Sequence, residues 1–488
     1  MKPAKKIQMQ KIPAAVSANA TPGWKGGLDH ALKNIGKLLC ILVFVLCLVQ
    51  PDTVYADTCN MESTGISYKI TANGEYTNWE GASNVSQFTD NKGNFCFSYY
   101  SGKTVTIVKT SNGKISGKKI TLKMPYPIFG GVTCDSKGYY YVVSGRKNTT
   151  KNFSKKTVFI TKYSKSGKRI KTVGDNGSSS IPGYGSRFRT KTPFQAGNCS
   201  IAVNGNYLAV HYARGMYNGH QSNSAFIINT KNMKKMKTGT IYSSHSFAQR
   251  VVPYKKGFMF VSEGDAYDRA FTISTIPNMS TGKVTNQNCF DFWVQQGASN
   301  NMTVVNNNFA RLGDLVMLGT NKAALVATSA PSLDQNAVSE TAQIFIQIFN
   351  PSKNLRKASA YTTTGTRSGL SGLNGKKKVK NYGVQWLTSL SSKCTIEHPQ
   401  AVTDGKGNTI VFYELKQRMN EWNYYYGVRY FVVDKNGNRS DIKLFSYSAC
   451  MNPCRTPIYK DGTVYWIGNE AGDSKHTVYL YSLKIDGQ

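Results

Sequence analysis

The chain has 488 residues, with 61 Lys and Arg against 26 Asp and Glu and a formal net charge of +35. Its 40% hydrophobic and 12% aromatic content supports a packed core and excludes an intrinsically disordered chain. No Pro- or Ser-rich linker divides it, so one large repeat domain is the simplest organisation.

At the N-terminus, Lys2, Lys5, Lys6, Lys11, Lys25, Lys33 and Lys37 lead into the uninterrupted apolar run Leu38–Val49. That run is shorter than the ~20 residues that span a bilayer and suits the hydrophobic region of an export signal. Val54 and Ala56 supply the small residues of a cleavage site, which sets a signal peptide at 1–56 and Asp57 as the first mature residue. An uncleaved anchor is the alternative reading of the long basic lead-in. No later stretch is apolar enough for a membrane helix, so the mature chain is expected to be secreted or cell-wall associated.

Beyond the signal, Cys59, Cys96, Cys134, Cys199, Cys289, Cys394, Cys450 and Cys454 form an even set that permits disulfides in an exported protein. Cys134 and Cys199, within predicted inner strands, equally suit buried thiols. Cys59 is the one placed to staple a chain end.

A short hairpin signal then recurs seven times. It runs Thr89-Asp90-Asn91-Lys92-Gly93, Cys134-Asp135-Ser136-Lys137-Gly138, Val203-Asn204-Gly205 and Tyr254-Lys255-Lys256-Gly257. It continues as Gly319-Thr320-Asn321-Lys322, Thr403-Asp404-Gly405-Lys406-Gly407 and Lys460-Asp461-Gly462, each followed by aromatic and β-branched residues. Further strands follow in most units, as at Val105–Lys109, Thr157–Tyr163, Ala225–Asn229, Gln343–Phe349, Val428–Val433 and Val478–Leu483. Alternation bounded by Gly, Asn and Asp marks half-exposed antiparallel strands. The Asp residues read as turn formers, because a carboxylate accepts its own turn's N–H groups with no metal needed.

Four strands per unit and seven units predict an all-β fold, a seven-bladed β-propeller. The expected blades are 84–123, 128–175, 196–243, 245–292, 306–391, 396–446 and 452–485. The insertion 362–381 of the fifth is expected to be a surface loop. The last unit lacks an outer strand, and Gly65–Ile70 in the 57–83 segment is the unclaimed strand that would close the ring. On these repeats the chain resembles secreted propellers with NHL-like or quinoprotein-like repeats, close to uncharacterised exported propellers of Gram-positive bacteria. That resemblance implies location more than activity. The Gly-His…Trp-Asp signature of WD repeats is absent.

One propeller face collects the loops that enter each inner strand and those that join second strands to third. His220, His245, His398 and His476 fall there, leaving His211 as the exception in the mature chain. Three readings compete for them. A His and Gln set suits a divalent ion. A His220, His245 or Tyr267 base beside Arg250 or Arg269 suits proton abstraction next to a uronate carboxylate. Hydrogen bonding to loop backbone is the structural alternative. Glu263, Asp265 and Asp268 lack calcium-loop spacing and have arginine neighbours, so no metal site is assigned. Tyr217, Gln221, Gln249, Trp422, Tyr424 and Arg455 are the candidate ligand-binding residues, the aromatic ones as surfaces for stacked sugar rings.

The expected function is binding of an anionic polysaccharide or cell-wall polymer by an exported, monomeric propeller. A lyase or hydrolase of acidic polysaccharide and a cell-surface protein-interaction scaffold are the alternatives. No dinucleotide, P-loop, nucleophile-elbow or nucleic-acid-binding motif is present, and no cofactor is named by the sequence.

Overall fold

The computed structural model describes residues 59–69, 82–111, 113–177, 186–197, 199–264, 270–291, 310–329, 342–353, 365–366, 378–379, 384–419 and 422–485. All lie in the compact unit Val54–Gln488. The export signal, Tyr267, Arg269 and most of the fifth-blade insertion lie outside the described residues.

The chain opens with β1 (Cys59–Ser67). Blade one is β2 (Val85–Thr89), β3 (Phe95–Ser101), β4 (Thr104–Ser111) and β5 (Lys114–Lys123); blade two is β6 (Ile128–Cys134), β7 (Tyr140–Gly145), β8 (Val158–Tyr163) and β9 (Arg169–Asp175). Blade three holds β10 (Thr190–Pro193), β11 (Cys199–Asn204), β12 (Tyr207–Met216), β13 (Gln221–Asn229) and β14 (Lys234–Lys235). Blade four is β15 (Ser246–Tyr254), β16 (Gly257–Gly264), β17 (Ala270–Ile276) and β18 (Thr285–Asp291). Blade five is β19 (Arg311–Gly319), β20 (Lys322–Ser329) and β21 (Gln343–Phe349), then a separate ladder of β22 (Gly365–Thr366) with β23 (Lys378–Val379), then β24 (Val384–Trp386). Blade six is β25 (Cys394–Thr403), β26 (Thr409–Met419), β27 (Trp422–Val433) and β28 (Lys443–Ser446); blade seven has β29 (Ile458–Lys460), β30 (Thr463–Gly468) and β31 (Thr477–Lys484).

Each blade is an antiparallel sheet in chain order, which makes the molecule a seven-bladed β-propeller. Blade three departs slightly, since β10 and β11 pair in succession with the long β12. The ring closes through β1, which pairs with β31 from Cys59 opposite Leu483 to Ser67 opposite Thr477. The last blade thus takes its outer strand from the chain start, which covers an edge that would otherwise be open. The closing strand begins earlier than Gly65, because the pairing also recruits the polar residues 59–64, which alternation alone does not mark.

The turns form for the reason the sequence suggests. Asp90 Oδ1 accepts from the N–H groups of Lys92 and Asn94, and Asp135 Oδ1 from Lys137 and Tyr139. Asp404 and Asp434 repeat the pattern. Gly93 and Gly138 take φ of 76° and 82°, a conformation that costs an L side chain strain.

Packing follows the ring. One buried cluster fills the wedge between each pair of neighbouring blades, from Phe88, Val105 and Tyr140 between blades one and two to Val85, Phe97, Ile467 and Leu480 between seven and one. Trp466 is fully buried and stacks on Tyr481 at 5.4 Å. Each such side chain contributes roughly 1.5–3 kcal/mol by leaving water. The disulfide expectation is corrected: Cys96, Cys134, Cys199, Cys394, Cys450 and Cys454 form no disulfide. Cys96, Cys134 and Cys199 are buried in apolar wedges, where hydrophobic packing is a sufficient role. The side chains of Cys59 and Cys289 lie outside the description.

Candidate functional site: a histidine rim and a basic channel

The end of β12 and the start of β15 reach the same face. Ser222 bridges Ser244, and His245 N–H donates to the Gln221 carbonyl at 3.1 Å. Asn218 Oδ1 accepts from His220 N–H, which shapes the tip of the β12–β13 hairpin. As a result His220 Nδ1 stands 3.1 Å from His245 Nε2, with the rings stacked at 5.4 Å. One N–H is shared across that contact, so one imidazole must be the acceptor.

Gln221 follows His220 at the start of β13. It is 2% exposed, and neither its Oε1 nor its Nε2 has a protein partner. Gln249 is also buried, and its Nε2 donates to Ser246 Oγ. Tyr217 turns toward blade two, where its hydroxyl meets Asn148 and its ring packs edge-on against Phe153. His245, His398 and His476 have φ of 47°, 46° and 50°, a left-handed region that non-glycine residues occupy at a cost.

A second group stands at the same face of blade six. Glu397 in β25 lies directly opposite Glu414 in β26, an unfavourable register for like charges. Lys416 Nζ pairs with Glu397, and His398 Nδ1 lies 3.0 Å from Glu414 Oε1. Glu414 is buried and also accepts from the Met451 N–H at 2.7 Å. Donor atoms of Glu397, His398 and Glu414 lie within 4.8 Å of one another, so the three have the reach to share a divalent ion, although Lys416 competes for Glu397. Tyr425 donates to the Ala449 carbonyl, and burial followed by the Glu414 charge raises its phenol above the ordinary value. The Cys450 thiol is pushed up to about 12 by burial and then Glu414, so it stays protonated. Tyr424 is 47% exposed on β27, while the Trp422 side chain lies outside the description.

Arg250 does not join the rim. It is buried in the wall of the central channel, where Nε donates to Asp314 Oδ1 at 2.8 Å and Nη2 to the Pro453 carbonyl at 3.1 Å. The alternation of β15 turns this side chain toward the axis, because residue 250 is internal to the strand and not in the loop before it. Asp314 on β19 also accepts from Ala401 N–H and Thr456 hydroxyl. Burial raises its carboxyl, and Arg250 pulls against that rise. Arg455 likewise lines the channel, with its guanidinium donating to the carbonyls of Cys199 and Gly130. Behind Arg250, fully buried His211 donates from Nδ1 to the Arg250 carbonyl and accepts at Nε2 from Asn223. Burial lowers the His211 pKa to about 4, so its neutral tautomer is set by those partners.

The channel contains a cavity of about 520 Å³. It runs from Ser86, Ser200, Arg250 and Arg455 to the hairpin turns at Asp90 and Asp135. It therefore reaches the face opposite the histidines. Sequence reasoning missed Glu397, Glu414 and Asp314 as site members. Asp314 had a signal, a lone carboxylate within the apolar strand Leu312–Leu318, where an unpartnered charge is costly.

No protein-family model and no curated protein matches this chain. Among solved structures, the WD40 repeats of RRP9 align at 8% identity over 87% of this chain and 100% of that one, with a TM-score of 0.42. A Trypanosoma rangeli sialidase in complex with the inhibitor DANA aligns at 9% identity over 88% of this chain and 60% of that one, with a TM-score of 0.39. The polysaccharide lyase Uly1 aligns at 10% identity over 86% and 91%, with a TM-score of 0.36. Likenesses this loose carry no argument about activity.

Proposed function

We propose that this protein is an exported propeller that binds an anionic glycan or cell-wall polymer through the face carrying His220 and His245. The observation that carries the reading is the exposed His220–His245 contact, on a chain of net charge +35. A polyanion is drawn to such a field, and an imidazole pair offers it N–H donors. Exposed Tyr424 adds a flat apolar surface for a sugar ring.

The test is a binding panel of anionic and neutral polysaccharides and wall polymers against the wild type and the His220→Ala/His245→Ala variant. Preference for the anionic members, with loss in the double variant, is the expected result. Equal binding of neutral polymers, or binding indifferent to the double variant, would remove the reading.

A second reading, an enzyme acting on acidic polysaccharide, is favoured by the Glu397–Lys416 and His398–Glu414 pairs. A buried carboxylate beside an imidazole is a reasonable acid–base set. Product analysis of the same panel checks it, with unsaturated uronate ends marking a lyase and new reducing ends alone marking a hydrolase.

A further inference from the structure

Arg455 is buried, yet among the described residues no carboxylate pairs with it. Two of its nitrogens donate to the Cys199 and Gly130 carbonyls, and its Nε has no partner. Carbonyls satisfy N–H groups without cancelling the charge. Asp314, which Arg250 holds at the channel wall, is engaged by Arg250, Thr456 and Ala401. Arg455 thus keeps its charge among neutral partners, an unfavourable state unless an anion pairs with it.

The surroundings are built for a ligand. Gly131 lets the guanidinium come close to the β6 backbone, since a Cβ there would stand 2.9 Å from Arg455 Nη2 and 3.3 Å from Ser86 Oγ. The Ser86 and Ser200 hydroxyl oxygens accept from the N–H groups of Val132 and Val251 in the next blades, so each retains an O–H to donate. Both line the 520 Å³ cavity with Arg455, a volume within the roughly 300–1,000 Å³ of small-molecule sites. Asp90 and Asp135 stand at the mouth, with their Oδ1 atoms held by their own turns. Their charge disfavours entry of a dense polyanion and leaves one compensating anionic group at the floor as the better fit.

We propose that the channel binds a small monocarboxylate of sugar-acid size, its carboxylate facing the Arg455 guanidinium and the Ser86 and Ser200 hydroxyls. This assignment is independent of the polymer reading, because it concerns the other end of the molecule. Isothermal titration calorimetry of the full chain with glucuronate, glucose, inorganic phosphate and a short oligouronate tests it. Glucuronate is expected to bind, with glucose and phosphate at least ~10-fold weaker. Arg455→Met is expected to weaken glucuronate about 100-fold. Ser136→Trp, a change at the exposed mouth, keeps the test valid if the arginine variant fails to fold, and is expected to abolish binding while the thermal midpoint holds. The His220→Ala/His245→Ala variant is expected to bind glucuronate as the wild type does. Binding of the oligouronate with the same Ser136 dependence would identify a chain terminus as the source, and binding of glucuronate alone a free acid. Absence of glucuronate binding by the wild type, equal affinity for phosphate, or indifference to Ser136→Trp would overturn the assignment.

Discussion

The histidine rim and the arginine channel are both basic, but they are held in different ways. His220 is exposed on a hairpin tip and His245 half-buried on a neighbouring loop, both set by backbone hydrogen bonds of surface segments. Arg250 and Arg455 are buried on the propeller axis and tie blades two, three, four, five and seven together through Asp314 and main-chain carbonyls. Charge at the rim is screened by water and salt and is cheap to change. Charge in the channel is desolvated, so each partner removed leaves another exposed to a low-dielectric interior. The contrast separates a surface suited to recognition from a centre that also holds the ring together.

The largest expected effect comes from Asp314→Asn, which strips the counter-charge from Arg250. Breaking a buried pair on one side costs about 3–5 kcal/mol, to be read from the midpoint and slope of chemical denaturation. A loss below ~1 kcal/mol would mean that the channel is as well solvated as the rim and would dissolve the distinction.

Next in size is a pH effect at His211. Its folded pKa of about 4 lies below the ordinary 6.5, so the unfolded chain binds the extra proton between those values. Stability contributed by the neutral imidazole is complete above pH 6.5 and is lost as pH falls toward 4, by about 3 kcal/mol. His211→Gln is expected to flatten that part of the stability–pH curve. An unchanged slope in the variant would show that His211 is hydrated and that the wall behind Arg250 is not dry.

A smaller effect is expected at the rim. His220→Ala/His245→Ala should change stability by within about 1 kcal/mol, since exposed positions tolerate truncation. Polymer affinity should nevertheless fall, as measured on the binding panel. A large stability loss would make the histidines structural and reverse the comparison. The smallest expected effect is on glucuronate binding at the channel when salt is raised past physiological strength, where screening shortens to ~8 Å. Polymer binding at the rim should weaken steeply over the same range, and equal salt responses at the two ends would argue against separate sites.

The fold was largely legible from residues 85–485. Asp90, Asp135 and Asp404 mark hairpins because a carboxylate five residues before the next strand satisfies that turn's own N–H groups. This is local chemistry, and repetition of a local signal counts the blades. The meeting of His220 with His245 was legible for the same reason, since strand direction alone places loop ends on one face. What the chain order could not reveal is where long polar side chains end. Arg250 was expected among the rim residues, and Arg455 among the ligand-binding ones, yet both reach into the axis. The pairing of Asp314 with Arg250 spans 64 residues, and Arg455 reaches carbonyls 256 and 325 residues away. Turn type and strand alternation depend on neighbours in sequence, so the sequence by itself determined the propeller, its blades and its basic character. Which charges are neutralised and which remain depends on groups that only ring closure brings within hydrogen-bond reach, so the tertiary structure alone decided the channel.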